Sequence, residues 1–292
     1  MKYAFIGAKA RVKESYIPVS DGVELLAIDF IPDANDKNLP VLVFVPGWIS
    51  LVSGWEGVLL ELIKKYHVIY LETREKKSAR LPEKKVAFTV ERMSQDIHEV
   101  LPHTAAADKP FYLAGSSLGG AVILDYMSRD FVMPREAFLV SPIAEMHFPA
   151  LAVFIIKLIP PFLYFIVKPW IKWYLKNIRC DKEKEPEQVK KYERTLDAAE
   201  PYRLKKNAVA LVDYQVWDRL DQVAAPVLII GAKADSLHGM EELEKMRDNI
   251  PDASMAVLES NKESHSEKCG AVMTAAIKSR EKNCSAFQSD QE

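Results

Sequence analysis

The stretch KPFYLAGSSLGGAVILDYM, residues 109–127, contains a short apolar run, a G-x-S-x-G pattern and a longer apolar run. The first run predicts a buried strand and the second predicts a helix. A G-x-S-x-G pattern between a strand and a helix forms a sharp turn that lifts its central serine clear of the sheet, with the helix N-terminus behind it. The alternative is a tight turn whose glycines only permit close helix–sheet packing. We take Ser117 as the candidate nucleophile.

Short apolar runs and longer helical patterns alternate on both sides of this stretch. Strands that are apolar on both faces and separated by helices predict the α/β class, with a mostly parallel sheet and helices on both faces. Two extended runs near the start flank Asp21-Gly22, a pair that predicts a hairpin turn. The predicted strands are Arg11–Val19, Val23–Ile31, Val41–Val45, His67–Leu71, Phe111–Ala114, Ala137–Val140, Val227–Ile230 and Ser254–Leu258.

One long segment interrupts this alternation between the predicted strands near residues 140 and 227. It begins as a proline-punctuated run of apolar and aromatic residues over 146–179, and a charged helical run follows over 181–194. We predict an inserted helical cap rather than a linker. The predicted organisation is the N-terminal part of the core at 1–142, the cap at 143–207, the C-terminal part of the core at 208–280 and a loose polar tail at 281–292.

Composition excludes several classes of function. The 39 basic and 41 acidic residues give a net charge of −2, so no basic surface for nucleic acid is expected. The three cysteines are too few and too scattered for a disulfide framework or a CxxC metal site. The N-terminal apolar stretch is too short for a signal-peptide core. We therefore expect a cytoplasmic protein without bound metal.

A serine nucleophile needs a histidine to take its proton and an acid to orient that histidine. Among six histidines we favour His265, which follows the last predicted strand, over His238 in a loop. Asp235 follows the strand ending at Ile230 and therefore reaches the carboxyl edge of the sheet, where ligands bind in such folds. The chain order Ser117, Asp235, His265 differs from the orders in chymotrypsin and subtilisin. The competing acids, predicted to lie on the surface, are Asp213, Asp218 and Asp221.

Together with the Asp21-Gly22 turn and Pro46-Gly47-Trp48 after the third strand, these residues identify a family resemblance. The chain from about Arg11 to Lys278 resembles an α/β-hydrolase. It is most similar to the carboxylesterases, monoacylglycerol lipases and lysophospholipases whose cap lies between strands six and seven. The resemblance implies an oxyanion hole formed by the backbone N–H groups of Trp48 and Leu118, and a reaction that needs no metal or organic cofactor.

Two stretches depart from the family pattern. Relatives have His-Gly where this chain has Pro46-Gly47, but the amide that matters belongs to the next residue. Relatives also carry a glycine-rich Asp-x-Arg-Gly-x-Gly-x-Ser stretch after the fourth strand, whereas this chain reads ETREKKS over residues 72–78. Arg74 keeps its place and the glycines are absent. The path of this loop is therefore not predicted.

The cap sequence bears on the substrate. Aromatic and aliphatic residues alternate with lysines such as Lys168 and Lys172, and the uncharged runs are too short for a spanning helix. Lysines beside Trp170 and Trp173 suit a bilayer headgroup region, while the same residues suit a lid over an acyl pocket. Both readings remain open and are compatible. Either one favours a substrate with a substantial apolar part.

The resulting expectation is a serine hydrolase that cleaves carboxylic esters of monoacylglycerol or lysophospholipid type through an acyl-enzyme. The partners expected are a small-molecule or lipid ester and no nucleic acid, with peripheral membrane contact through the cap left open. The oligomeric state is not predicted. The alternatives are an aminopeptidase, a thioesterase or an acyltransferase with the same triad, and a catalytically silent scaffold.

Overall fold

A computed structural model of the chain describes residues 3–7, 9–32, 39–146, 150–158, 160–174, 177, 186–233, 235 and 239–289. Within these residues, eight strands form a single sheet, in agreement with the predicted α/β class. The strands are β1 (Ala10–Pro18), β2 (Glu24–Pro32), β3 (Val41–Val45), β4 (His67–Leu71), β5 (Phe111–Ser116), β6 (Ala137–Val140), β7 (Val227–Ala232) and β8 (Ala253–Leu258).

The sheet has the strand order β1-β2-β4-β3-β5-β6-β7-β8. Strands β1 and β2 form the predicted antiparallel hairpin, and β2 pairs antiparallel with β4. The six strands β3 to β8 are all parallel to one another. Gly22 in the hairpin turn has a φ of +84°, a conformation that glycine adopts without steric cost. The Asp21-Gly22 pair therefore forms the hairpin turn that the sequence predicts.

Helices cover both faces of the sheet, as predicted. Helices α2, α3 and α8 pack with one face, and α1 and α10 pack with the other. Apolar side chains of β3 to β7 alternate between these two layers, so these strands are buried on both sides, whereas the edge strand β8 is only partly buried. The helices are α1 (Glu56–Leu62), α2 (Val90–Val100), α3 (Leu118–Met127), α4 (Ala150–Leu158), α5 (Tyr164–Tyr174), α6 (Pro186–Ala198), α7 (Pro201–Leu211), α8 (Met240–Asn249), α9 (Asn261–Ser264) and α10 (Glu267–Ser289).

Four of these helices, α4 to α7, lie between β6 and β7, in the region predicted to form the cap. Helix α7 contacts α4, and α5 contacts α6. None of the helices described is both long enough and apolar enough to cross a bilayer. The bounds given above for the cap remain a prediction, and α7 runs through its C-terminal bound at residue 207.

The C-terminal helix differs from the prediction. Residues 281–292 are predicted to be a loose tail, but α10 continues to Ser289. Residues 281–289 are mostly polar, yet they contain neither glycine nor proline, so no residue there ends the helix that begins at Glu267. Polarity without helix-breaking residues is compatible with continuation of the helix.

Candidate active site

The predicted nucleophile lies at the junction of β5 and α3. Ser117 has a φ of +49°, its N–H donates to the Val140 carbonyl at 3.0 Å, and α3 begins at the next residue. A Cβ on Gly119 would lie 2.1 Å from the Val45 carbonyl oxygen, and a Cβ on Gly115 would lie 2.6 Å from the Ile123 side chain. The glycines therefore permit close packing, and the same turn places the serine at the carboxyl edge.

The predicted acid lies just beyond the end of β7, which is separated from β5 by β6 in the sheet. Asp235 accepts hydrogen bonds from the Ser141 hydroxyl at 3.1 Å and from the Asn261 side-chain amide at 3.4 Å. Ser141 follows β6, and its backbone N–H donates to the Ile230 carbonyl at 2.9 Å. Asn261 opens α9, the four-residue helix that ends immediately before His265. The Asp235 carboxylate is therefore held between the β6 end and the loop that carries the predicted base.

The predicted base contacts the loop that follows β3. The His265 ring packs on the Trp55 ring with 4.2 Å between centroids, and Trp55 donates from Nε1 to the Ser50 hydroxyl at 2.9 Å. Ser50 lies two residues beyond Trp48, the predicted oxyanion-hole residue. Ser117, Asp235 and His265 thus all follow strands at the carboxyl edge, where the α/β-hydrolase resemblance requires them. Their assignment as a triad remains a prediction.

The other histidines described have different surroundings. His67 begins β4, at the opposite edge of the sheet, and its Nε2 lies 2.8 Å from an Asp29 carboxylate oxygen. The His98 ring stacks on Phe131 at 4.1 Å. His238, the alternative base, lies outside the described residues. The competing acids are exposed, as predicted: Asp213, Asp218 and Asp221.

The loop after β3 lies directly against the serine turn. A Cβ built on Gly47 would lie 3.4 Å from the Ser117 Cβ and 3.1 Å from the Ser116 carbonyl oxygen. The Gly47 carbonyl accepts hydrogen bonds from the Ser50 N–H at 3.1 Å and from Lys76 Nζ at 2.9 Å. Within the described chain, no backbone hydrogen bond uses the N–H of Trp48 or Leu118. Both amides are therefore compatible with the predicted oxyanion hole.

Residues with strained backbone conformations lie at the carboxyl edge of the sheet. Among the residues described, three non-glycine residues have a positive φ: Ile49 at 49°, Ser117 at 49° and Ser141 at 43°. Each lies in a loop that follows a parallel strand. A β-branched residue such as Ile49 is a steric outlier in this region. Residues in such conformations cost about 1–3 kcal/mol each and cluster at functional sites, so their position supports a site at this edge.

The loop of residues 72–78, whose path the sequence does not predict, is buried and charged. Arg74 is 0% exposed and donates to both oxygens of Asp96 at 2.6 and 2.7 Å, and to Asp21 and the Ala87 carbonyl at 2.7 and 2.8 Å. Burial alone would raise the pKa of Asp21, but the Arg74 guanidinium lowers it. This network anchors the loop to the hairpin turn and to α2.

Sequence reasoning missed Lys76 and Glu75. The Lys76 side chain is 5% exposed and donates to Gly47 and, at 3.2 Å, to the fully buried Glu75 carboxylate, which also accepts from Thr73 at 2.8 Å. Charged residues in a loop are ordinarily exposed, so the local sequence gives no signal of this burial. The one available signal was the replacement of the glycines expected in the family.

Comparisons with known proteins agree with the fold. A family model described as serine aminopeptidase, S33, matches residues 82–265, more than half of the chain, including Ser117, Asp235 and His265. No curated protein sequence matches the chain significantly.

Among solved structures, an esterase from Exiguobacterium antarcticum is 18% identical, with 91% of this chain and 100% of that chain covered and a TM-score of 0.72. A putative lipase from Acinetobacter baumannii is 17% identical, with 96% and 94% covered and a TM-score of 0.70. A bacterial membrane phospholipase A is 17% identical, with 94% and 88% covered and a TM-score of 0.71. At these identities the likeness shows the fold.

Proposed function

Because the chain belongs to the serine aminopeptidase S33 family of α/β-hydrolases, we propose that it is a serine hydrolase that cleaves carboxylic esters with an apolar acyl chain. The observation that carries this proposal is the position of Ser117 in a strained turn at the carboxyl edge of the sheet, the edge at which the chain also leaves β7 toward Asp235 and β8 toward His265. Monoacylglycerols and lysophospholipids are the substrate types we favour.

The proposed reaction has two halves. The Ser117 oxygen attacks the ester carbonyl carbon while His265 takes the hydroxyl proton, and Asp235 holds the histidine tautomer. The tetrahedral intermediate collapses as His265 protonates the leaving alcohol, which leaves an acyl group on Ser117. Water then attacks the acyl-enzyme, with His265 again as the base, and releases the fatty acid and free serine.

The negative charge on the carbonyl oxygen needs preorganised donors. The backbone N–H groups of Trp48 and Leu118 are the candidates, since the first lies in the loop against Ser117 and the second opens α3. Losing one such donor costs about 2.7–4 kcal/mol of transition-state stabilisation. The N-terminal end of α3 adds a positive helix-dipole field at the same place.

An aminopeptidase is the second candidate, favoured by the family description. It would need an acidic group for the substrate's free amine. Two buried or half-buried carboxylates near this edge already have partners, because Glu145 accepts from Trp217 Nε1 at 2.8 Å and Glu75 is bonded to Lys76. The exposed apolar residues of the cap also suit an acyl chain better than a peptide. We therefore favour the ester.

The first test is hydrolysis of p-nitrophenyl esters from acetate to palmitate by the wild type, by Ser117→Ala and by the control Ser128→Ala. The control hydroxyl lies at the far end of α3 and donates to the Asp125 carbonyl. We expect rates that rise with acyl length, a loss of about 10³-fold or more in Ser117→Ala, and no change in the control.

Amino-acid p-nitroanilides and acyl thioesters are assayed in parallel. Ser117-dependent cleavage of the anilides alone would replace the esterase proposal by the aminopeptidase, and a preference for thioesters would make the chain a thioesterase. Product in which a second alcohol carries the acyl group would identify an acyltransferase. No Ser117-dependent turnover, together with no labelling by a fluorophosphonate, would leave a silent scaffold.

We further propose that the cap contacts an anionic lipid surface through α5. One face of this helix carries large apolar side chains that are 55–72% exposed. Three of them are separated by four and three residues, which places those three on the same side of the helix, and the fourth is adjacent to the first of the three. They are Phe165, Ile166, Trp170 and Trp173, and the neighbouring Phe154, Leu158 and Phe162 are equally exposed.

The other side of α5 faces the protein and is mixed, with the half-buried Val167 and Ile171 beside polar side chains. Lys168 and Lys172 donate to Asp197 of α6 at 2.9 and 2.7 Å, and the Tyr164 hydroxyl donates to the Leu196 carbonyl at 2.7 Å. An ordinary surface helix turns its large apolar side chains inward, whereas those of α5 are largely exposed. Residues 150–174 also contain three lysines and no acidic residue. Because Lys168 and Lys172 are paired with Asp197, the exposed Lys157 supplies the positive charge in this segment, and an apolar face with a basic residue and no acidic one fits an anionic bilayer.

Sedimentation with phosphatidylcholine vesicles, with and without phosphatidylglycerol, tests this contact. We expect binding that increases with phosphatidylglycerol and falls at least tenfold in Ile166→Ser/Trp170→Ser. In the control Val132→Ser, an equally exposed apolar side chain outside the cap is altered. This variant should bind vesicles as the wild type does. Absence of wild-type binding, or a wild-type dimer that the double variant dissociates, would show that lipid is not the occupant.

A further inference from the structure

Lys76 is a charged residue buried beside the proposed catalytic serine. Its Nζ donates to the Gly47 carbonyl at 2.9 Å, and a Cβ on Gly47 would contact the Ser117 Cβ at 3.4 Å. Its side chain is 5% exposed, so neither solvent nor salt competes effectively for this contact. The next residue, Lys77, is exposed. Because Lys76 is buried and its sequence neighbour Lys77 is exposed, the position of Lys76 needs an explanation that does not apply to Lys77.

The bonded carbonyl shares a peptide group with a proposed oxyanion-hole donor. The Gly47 C=O and the Trp48 N–H belong to one planar unit, and every peptide described is trans. In a trans peptide the C=O and N–H point to opposite sides, so a bond that fixes the carbonyl also fixes the direction of the N–H. The Ser50 N–H donates to the same carbonyl at 3.1 Å. Two donors therefore hold this peptide plane.

The donor charge adds to the positioning. A cation that bonds a carbonyl draws electron density from the peptide and makes its N–H a stronger donor, because hydrogen bonds in series polarise one another. Charge-assisted hydrogen bonds are also shorter and roughly twice as strong as neutral ones. The ammonium of Lys76 should thus strengthen the Trp48 N–H where the oxyanion forms.

The lysine is held in place from two sides. Its ammonium pairs with the buried Glu75 carboxylate, which Thr73 also holds. Its backbone carbonyl accepts from Arg203, on α7, and Arg203 also donates to the Ala79 carbonyl at 2.9 Å. These contacts restrict the loop on both the core side and the cap side. The charged residues that replace the family glycines therefore support the loop after β3.

We infer that Lys76 is a positioning residue for the oxyanion hole, because its ammonium group orients and polarises the Gly47–Trp48 peptide. This inference rests on the proposed serine hydrolase function. Lys76 does not touch the reacting atoms and acts through the Trp48 N–H. Its effect should therefore appear in the stability of the tetrahedral intermediate and not in substrate binding.

The test compares Lys76→Met and Lys76→Gln with the control Lys77→Met, in full-length protein. Methionine removes the donor and the charge at similar length, while glutamine keeps a donor without charge. We expect kcat to fall about tenfold or more in Lys76→Met, with KM within about twofold and an intermediate value in Lys76→Gln, since complete loss of one oxyanion donor costs about 10²–10³-fold. Lys77→Met should match the wild type.

A trifluoromethyl ketone, which adds to the serine as a tetrahedral oxyanion, gives the second readout. Its inhibition constant should rise by the same factor as kcat falls, whereas a merely structural lysine would change KM and thermal stability without this correlation. Wild-type kcat and ketone affinity in folded Lys76→Met would overturn the inference while leaving Ser117-dependent hydrolysis intact. Loss of the Ser117 dependence itself would instead overturn the proposed function. If Lys76→Met does not fold, the same two readouts in Lys76→Gln decide.

Discussion

Helices α2 and α5 are both 11 residues long and both amphipathic, yet they are oriented in opposite ways. Helix α2 buries its apolar face against the sheet, with Ile97 1% exposed, whereas the apolar face of α5 points outward, with Ile166 63% exposed. The periodicity of a sequence therefore identifies a face without saying which way that face points. The buried apolar residues of α2 are Val90, Met93, Ile97 and Val100.

The polar sides of the two helices differ in the same way. Arg92 of α2 lies near the surface and donates to Glu99 and Asp96, in the usual position for charge. Lys168 and Lys172 of α5 point toward α6 and pair with Asp197. The lipid contact proposed above would explain why α5 directs two lysines at the protein and its tryptophans outward. Three predictions test this contrast.

The largest difference in the free energy of unfolding should come from removing the cation of one ion pair at each helix. These cations are Arg74, which pairs with Asp96 of α2, and Lys172 of α5, which pairs with Asp197. Arg74→Met should destabilise the fold by about 3–5 kcal/mol, because Asp96 on α2 would lose the main partner of a buried carboxylate. Lys172→Met removes a cation from Asp197, which is 52% exposed, and should cost less than about 1 kcal/mol. Urea unfolding at pH 7 measures both.

The pH dependence gives a control for the first prediction. Burial raises the pKa of Asp96 even with Arg74 and Arg92 beside it, and removing Arg74 would raise it further. A carboxyl whose folded pKa lies above its unfolded pKa destabilises the fold as pH rises, so the cost of Arg74→Met should be greater at pH 7 than at pH 4.5. Equal costs for Arg74→Met and Lys172→Met would remove the contrast between buried and exposed pairs.

The next difference should come from matched isoleucines. Ile97→Ala should cost about 2–4 kcal/mol, since it leaves a cavity between α2 and the sheet. Ile166→Ala should change the free energy of unfolding by less than about 0.5 kcal/mol in vesicle-free buffer, since its side chain is already in water. A cost above 2 kcal/mol for Ile166→Ala would mean that the apolar face of α5 is covered within the protein in solution.

Particular residues show how far the sequence determines this molecule. The apolar runs Val41–Val45 and Ala137–Val140 predict β3 and β6 to the residue, because strands buried on both faces are apolar throughout. The positions of Ser117, Asp235 and His265, each after a predicted parallel strand, predict that all three lie at the carboxyl edge of the sheet. The orientation of α5 and the burial of Lys76 depend on residues distant in sequence, Asp197 and Gly47, so no local pattern reveals them.

The smallest effect concerns the solvent side of α2, where Glu99 accepts from Arg92 and from the Ser20 hydroxyl and backbone N–H. Burial alone would raise the pKa of Glu99, but these donors lower it from 4.5 to about 2. A depressed pKa contributes stability above the unfolded value that is lost as pH falls through the folded value. The melting-temperature difference between wild type and Glu99→Gln should therefore be largest at pH 7 and shrink between about pH 4.5 and 2.

The matched variant on the cap side is Asp197→Asn. Its two lysine partners also lower the pKa of Asp197, by direct hydrogen bonds, but the carboxylate lies largely in solvent. Salt screens exposed charges more than partly buried ones, so 0.5 M NaCl should remove most of the Asp197→Asn effect and leave more of the Glu99→Gln effect. Thermal melts from pH 2 to 7 at two salt concentrations measure both variants. A Glu99→Gln difference that stays constant with pH would show that Arg92 and Ser20 do not stabilise an ionised Glu99. The ion pair of α2 would then contribute as little to stability as the pair between α5 and Asp197 of α6.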